Sequence, residues 1–188
     1  MKNNKTLNLK SLILCSLFAA LIAIGAFIRI PIPILAFTLQ FLFTNLAGIL
    51  LGKKLGAISV GIYLLLGLIG IPVFLEGGGL MYVVKPSFGY LIGFLLGAYL
   101  TGYIVERVKT ITVKKLFLAG LSGLSVVYIL GMIYYFIISN FYLGVPIGVK
   151  SVLVYCFLVF VPGDVFLCFV SALISKKILT STKNFSYI

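Results

Sequence analysis

Acid chemistry in this chain of 188 residues rests on three carboxylates, Glu76, Glu106 and Asp164. Histidine is absent, so Ser-His-Asp catalysis and imidazole-based acid–base work both lose a required part. Cys15, Cys156 and Cys168 are an odd trio inside apolar runs, which suits neither a disulfide framework nor a zinc site. The nearest approach to a phosphate-binding loop is Gly48-Ile-Leu-Leu-Gly52-Lys53-Lys54. It has one residue too few between its glycines, and Lys54 stands where Ser or Thr should hold magnesium. It reads better as a close-packed helix end. The expectation is no enzyme, no metal, no cofactor and no ATPase motif.

The polar groups that remain suit binding. Asp164 follows Pro162-Gly163 in the midst of an apolar run, where a carboxylate costs roughly 2.5–3.5 kcal/mol and so calls for a function or a hydrogen-bonded partner. Glu76 precedes Gly77, Gly78 and Gly79, a stretch that reads either as a flexible lid over a pocket or as an ordinary surface loop. Lys85 stands just before Pro86-Ser87-Phe88-Gly89-Tyr90, where a cation beside a helix start attracts an anion or simply anchors at the interface. Arg29 invites the same two readings, and Lys150 reads as an anchor. Gln40, with Thr38, follows a Pro-rich stretch that cannot continue a helix. Its amide is free to bond a ligand or a neighbouring helix.

The elements that must position these groups are membrane helices. Apolar runs over roughly residues 11–28, 31–51, 55–71, 88–105, 116–138 and 151–175 predict six transmembrane spans in one domain, 1–188. The run ending at Leu51 is short and needs part of the Pro-rich stretch before it. Twelve of the fifteen Lys and Arg residues then fall on one side: Lys2, Lys5, Lys10, Lys53, Lys54, Arg107, Lys109, Lys114, Lys115, Lys176, Lys177 and Lys183. Arg29, Lys85 and Lys150 occupy the other. The positive-inside rule makes both termini cytoplasmic and the chain a multi-pass integral protein. The net charge of +12 is thus mostly topological, and no basic face for nucleic acid emerges. A hydrophobic content of 62% against 10% charged residues agrees. Gly89, Gly93 and Gly97 mark close packing within the bundle. Ala19 and Ala23 mark an alanine face on span one that is open to a partner.

The strings Ile30-Pro31-Ile32-Pro33, Phe37-Thr38-Leu39-Gln40, Ala47-Gly48 and Leu51-Gly52 resemble the N-terminal signature of the BioY family. So do Tyr63, Gly67 and Gly70-Ile71-Pro72-Val73-Phe74. Lys85-Pro86-Ser87-Phe88-Gly89-Tyr90 with Gly93-Phe94, and Pro162-Gly163-Asp164, resemble its later elements. The resemblance runs from about residue 30 to 170. It implies an all-α bundle of the S-component type that captures biotin from outside for an energy-coupling-factor (ECF) transporter of the bacterial plasma membrane. It further implies a transmembrane coupling protein and two cytoplasmic ATPases as partners, with Ala19 and Ala23 as the docking pattern. Two positions depart from the family. Leu167 stands where many relatives carry Lys, and Ser87 replaces a common Thr.

Biotin offers a ureido ring with two donors and one acceptor, an apolar ring and chain, and a carboxylate. Asp164 and Glu76 suit the two donors. Gln40, Tyr82 or Tyr90 suits the ureido oxygen. Lys85, with Arg29 in reserve, suits the carboxylate. An S component for another vitamin, or a solitary proton-coupled biotin transporter with Asp164 as proton carrier, are the other readings of the same residues.

Overall fold

Uncharged apolar runs satisfy their backbone in lipid by closing it into helices, and the chain does so. The computed structural model describes residues 9–31 and 35–181; of the residues named above, Lys2, Lys5, Ile32, Pro33 and Lys183 lie outside them. Helix α1 spans Leu9–Phe27, α2 Gln40–Leu68, α3 Phe88–Glu106 and α4 Val113–Ile137. A short α5, Val149–Leu153, leads to α6, Val161–Ser181. A π turn at Ile138–Tyr142 extends α4, and another at Val154–Leu158 joins α5 to α6. A 3₁₀ turn, Leu80–Val84, precedes α3. Large apolar side chains such as Ile13, Leu17, Ile133 and Phe166 point outward, as lipid-facing surface requires.

One expectation is corrected. The Pro-rich stretch does not extend a span. Arg29–Pro31 (β1) pairs antiparallel with Ala36–Thr38 (β2), Arg29 opposite Thr38 and Ile30 opposite Phe37, and helix begins only at Gln40. Proline's missing N–H and its restriction of the preceding residue favour such a ribbon over a helical turn. Among the described residues, five helices are long and apolar enough to cross a membrane, and the six expected runs are distributed over them. The second and third runs fall together in α2.

That helix is interrupted at Gly52, whose φ of 78° and ψ of 178° are open to glycine and strained for other residues. The chain folds back there. A Cβ placed on Gly56 would lie 2.9 Å from the Ala47 carbonyl oxygen, a contact no continuous helix makes over nine residues. Glu106, at the end of α3, braces the turn. Its Oε1 accepts the Lys53 N–H at 2.9 Å, and its Oε2 pairs with Lys53 Nζ at 2.9 Å.

Small residues bring α2, α3 and α4 together. A Cβ on Gly48 would stand 2.7 Å from the Ala98 carbonyl oxygen. On Gly93 it would stand 2.8 Å from Val127 Cα, and on Gly102 2.4 Å from the Lys53 nitrogen. Backbone at such distances excludes any larger residue. On the other side of α4 large residues intervene. Phe41, Leu124, Tyr128, Phe160 and Leu167 pack between α2, α4 and α6, and these larger side chains leave room between the helices.

Candidate functional site

The room left on that side is a cavity of about 110 Å³ between the β ribbon, the starts of α2, α3 and α6, and the middle of α4. A buried water needs roughly 10–15 Å³ on this measure, so several waters or a small solute fit. Its walls are mostly apolar, with Phe37, Phe41, Leu91, Phe94, Leu124 and Phe160 among them. Gln40, Tyr82, Tyr90, Tyr128 and Asp164 supply the main polar edges.

Each part of Pro162-Gly163-Asp164 has a local reason. Pro162 occupies the first turn of α6, where its missing N–H breaks no intrahelical bond. Gly163 admits the Phe37 ring, whose Cε2 lies 2.6 Å from where a Cβ would stand, so the β ribbon seals against α6. Asp164 then reaches the cavity, and the Tyr128 hydroxyl of α4 donates to its Oδ2.

Tyr90 crosses from α3 over Gly131, which has no side chain to block the ring. Its hydroxyl donates to the Cys156 carbonyl at 3.0 Å. That carbonyl lies in the π turn Val154–Leu158, and such turns depart from the i→i−4 ladder and recur at functional sites. Gln40, at the first position of α2, is 5% exposed, and its Nε2 has no hydrogen-bond partner among the described residues. A buried amide donor without a partner costs about 1–3 kcal/mol, so Gln40 is placed to donate to a solute in the cavity. Tyr82 is buried against Phe74, with ring centroids 4.5 Å apart. Burial raises its pKa, which keeps the phenol neutral and able to donate.

Four of the six expected binding residues, Gln40, Tyr82, Tyr90 and Asp164, therefore line one cavity. Glu76 and Lys85 do not line it. They pair with each other at 2.5 Å on the exposed surface, and Lys85 Nζ also lies 4.8 Å from the Tyr82 ring centroid. The loop between α2 and the 3₁₀ turn is pinned rather than loose. Phe74 is fully buried against Tyr63 and Gly67, and the Gly79 N–H donates to the Gly67 carbonyl at 2.7 Å. Arg29 and Lys150 are exposed.

Leu167, at the position of the missing Lys, is buried among Phe41, Leu124 and Tyr128. Among the described residues the ion pairs are Lys53–Glu106 and Lys85–Glu76, so Asp164 relies on a phenol rather than a cation. The spacing of Ala19 and Ala23 pointed to an outward face. Ala19 is instead 4% exposed in the core beside Ile22, and Ala23 packs partly against the same cluster. The outward small residues of α1 are Ser16 and Ala20, each three positions earlier in the chain than Ala19 and Ala23. Residue spacing finds a helical stripe, but only packing decides which stripe faces out.

Sequence reasoning missed Tyr128, the donor to Asp164. Its signal was a hydroxyl in the middle of the apolar run 116–138, a polar group that needs a partner in lipid. It also missed Cys156, Phe160 and Leu75, which reach the cavity only through the fold.

A bundle of apolar helices around a small, half-polar cavity defines an integral membrane protein that binds a small solute. The family model described as "BioY family" matches residues 1–184. The chain is 41% identical over 168 residues to a probable biotin transporter BioY of Lysinibacillus sphaericus, covering 89% of this chain and 86% of that protein. It is 37% identical over 171 residues to the biotin transporter BioY of Thermotoga maritima, covering 90% and 96%. A crystal structure of the S-component for biotin from an ECF-type ABC transporter has a similar fold, with a TM-score of 0.80 and 31% identity over 96% of this chain and 95% of that one. The chain belongs to the BioY family.

Proposed function

We propose that this chain is the biotin-capturing S component of an ECF-type vitamin uptake transporter in the bacterial plasma membrane. The observation that carries the reading is the set of polar groups in the cavity. Asp164 offers acceptor oxygens, one of them already held by Tyr128, and Gln40 offers an unpaired donor. A ureido group presents the complement, two N–H donors and one carbonyl acceptor. Asp164 takes a ureido N–H through the acceptor capacity left beside Tyr128, and Gln40 Nε2 donates to the ureido oxygen. Tyr82 closes the apolar wall, and Tyr90, already bonded to the Cys156 carbonyl, fixes the wall opposite.

Contacts at the two ends of the bundle support a six-pass topology. Lys53 at the Gly52 turn touches Glu106, so the α2 turn and the α3–α4 loop share one end. The Tyr134 hydroxyl donates to the Val83 carbonyl at 2.5 Å, which puts the far end of α4 beside the loop before α3. With α2 crossing twice, five long helices make six passes, and both termini lie on the Lys- and Arg-rich, cytoplasmic side. One domain, 1–188, then does the capturing. A transmembrane coupling protein and two cytoplasmic ATPases supply the energy for release. The outward Ser16 and Ala20 of α1, rather than the buried Ala19, are open to the coupling protein.

The test is binding of labelled biotin to the purified, detergent-solubilised chain, with riboflavin and thiamine as controls. Saturable binding selective for biotin is the expected result. A folded preparation that binds riboflavin or thiamine instead, or none of the three, overturns the assignment.

A further inference from the structure

A solute with a carboxylate tail meets a difficulty in this cavity. Among the described residues that line it there is no Lys or Arg, and the carboxyl side chain there, Asp164, repels an anion when ionised. A tail carrying a negative charge must therefore leave the cavity and end at its rim. The rim has a cation in place. Lys85 lies between Tyr82 and Ser87, both of which line the cavity, and its Nζ stands over the Tyr82 ring at 4.8 Å. That cation is occupied, however, since Glu76 holds it at 2.5 Å. Glu76 in turn follows Leu75, which also lines the cavity.

We propose that Glu76 is an internal stand-in for the solute's carboxylate, pairing with Lys85 until the solute's acidic tail arrives and then yielding it. The inference rests on the biotin reading above. The local structure suits an exchange of partners. Phe74 is locked in the core, so the loop itself stays put. Glu76, two residues on, has a side chain 59% exposed, and Gly77 beside it adopts a φ of +107° with no atom within 4 Å of a Cβ position. Turning one side chain suffices, and no loop needs to open. The two carboxylates are chemically equivalent partners for one ammonium, so the protein's own acid lowers the gain from an acidic tail. Glu76 and Lys85 together thereby set the selectivity between acidic and neutral tails.

The experiment measures dissociation constants of biotin and of biotinamide, its neutral carboxamide, on the full-length detergent-solubilised chain. Wild type, Glu76→Gln, Lys85→Met and Arg29→Gln are compared, and each is checked for folding by size exclusion. All three positions are exposed or half-exposed, so the variants fold. Glu76→Gln is expected to tighten biotin by about two- to fivefold, the range for a surface ion pair, and to leave biotinamide unchanged. Lys85→Met is expected to weaken biotin by a similar factor, again without effect on biotinamide. The proposal is overturned if Glu76→Gln weakens biotin, leaves it unchanged or shifts both solutes equally. Loss of the preference in Arg29→Gln with none in Lys85→Met overturns it too. Wild type that binds neither solute sinks the biotin reading itself, and the exchange with it.

Discussion

The two flanks of α4 are built on opposite terms. Toward α3, Gly93 and Gly97 meet Val127 and Gly123 at backbone contact, and Gly102 carries the same closeness on to the Gly52 turn of α2. Toward α6, Tyr128, Leu124 and Phe160 stand between the helices, and a cavity remains. In lipid there is no hydrophobic gain from joining two apolar helices, so association must come from close packing or from polar contacts. The α3 side uses the first and the α6 side uses the second. There Tyr128 bonds Asp164, and Asn45 of α2 donates to Ser171 of α6 at 2.7 Å. Close packing and the cavity thus fall largely on different flanks of α4, with Val127 touching both.

Substitutions should separate them too. The largest expected effect is on the open side. Asp164→Asn removes a charged acceptor from a mostly apolar cavity and should weaken biotin binding by about 2–5 kcal/mol while the protein stays folded. Titration with labelled biotin checks this, and wild-type affinity in the folded variant ends the assignment of Asp164. Tyr128→Phe deletes the donor to that carboxylate with almost no change of shape. A loss of about 1.5–3 kcal/mol in affinity is expected, since the bond is to a group that carries charge. An unchanged dissociation constant would mean the phenol only fills space.

The close-packed side should show the reverse pattern. Gly102→Ala places a methyl where backbone atoms of Gly52 and Lys53 already sit, at 2.4–2.7 Å. Overpacking of this kind costs about 1–3 kcal/mol of stability. Thermal melting in detergent should fall, and affinity per folded molecule should hold; a parallel loss of affinity would erase the proposed division. The smallest effect belongs to Glu106→Gln, which removes a carboxylate from the start of the second half of α2. About 0.3–1 kcal/mol is at stake, because the site is partly exposed and screened by salt. A melting point that drops slightly in low salt and not at all in high salt is the expected signature.

Much of this organisation can be read from the residues in order. Charges between apolar runs separate the two sides of the membrane, and Asp164 behind Pro162-Gly163 marks the site, because a carboxylate inside lipid is expensive. Gln40, Tyr82, Tyr90 and Asp164 were reachable by asking which polar groups lie toward the outer side. Tyr128 was not reached, since nothing near it in the chain names Asp164 as its partner 36 residues away. Glu76 and Lys85 were placed in the site by their charge, yet across nine residues they neutralise each other. Ala19 and Ala23 were chosen by a four-residue spacing that Ser16 and Ala20 satisfy equally well.

The amino-acid sequence by itself determined the class of this protein and its family, because hydropathy, charge and short motifs are local quantities that add along the chain. Only the tertiary structure decided which face of α1 looks outward, that α2 doubles back at Gly52, and which hydroxyl meets Asp164. Those outcomes depend on how each helix is rotated about its axis. That rotation is set by contacts between residues far apart in the chain, where a glycine on one helix takes its meaning from the backbone lying against it.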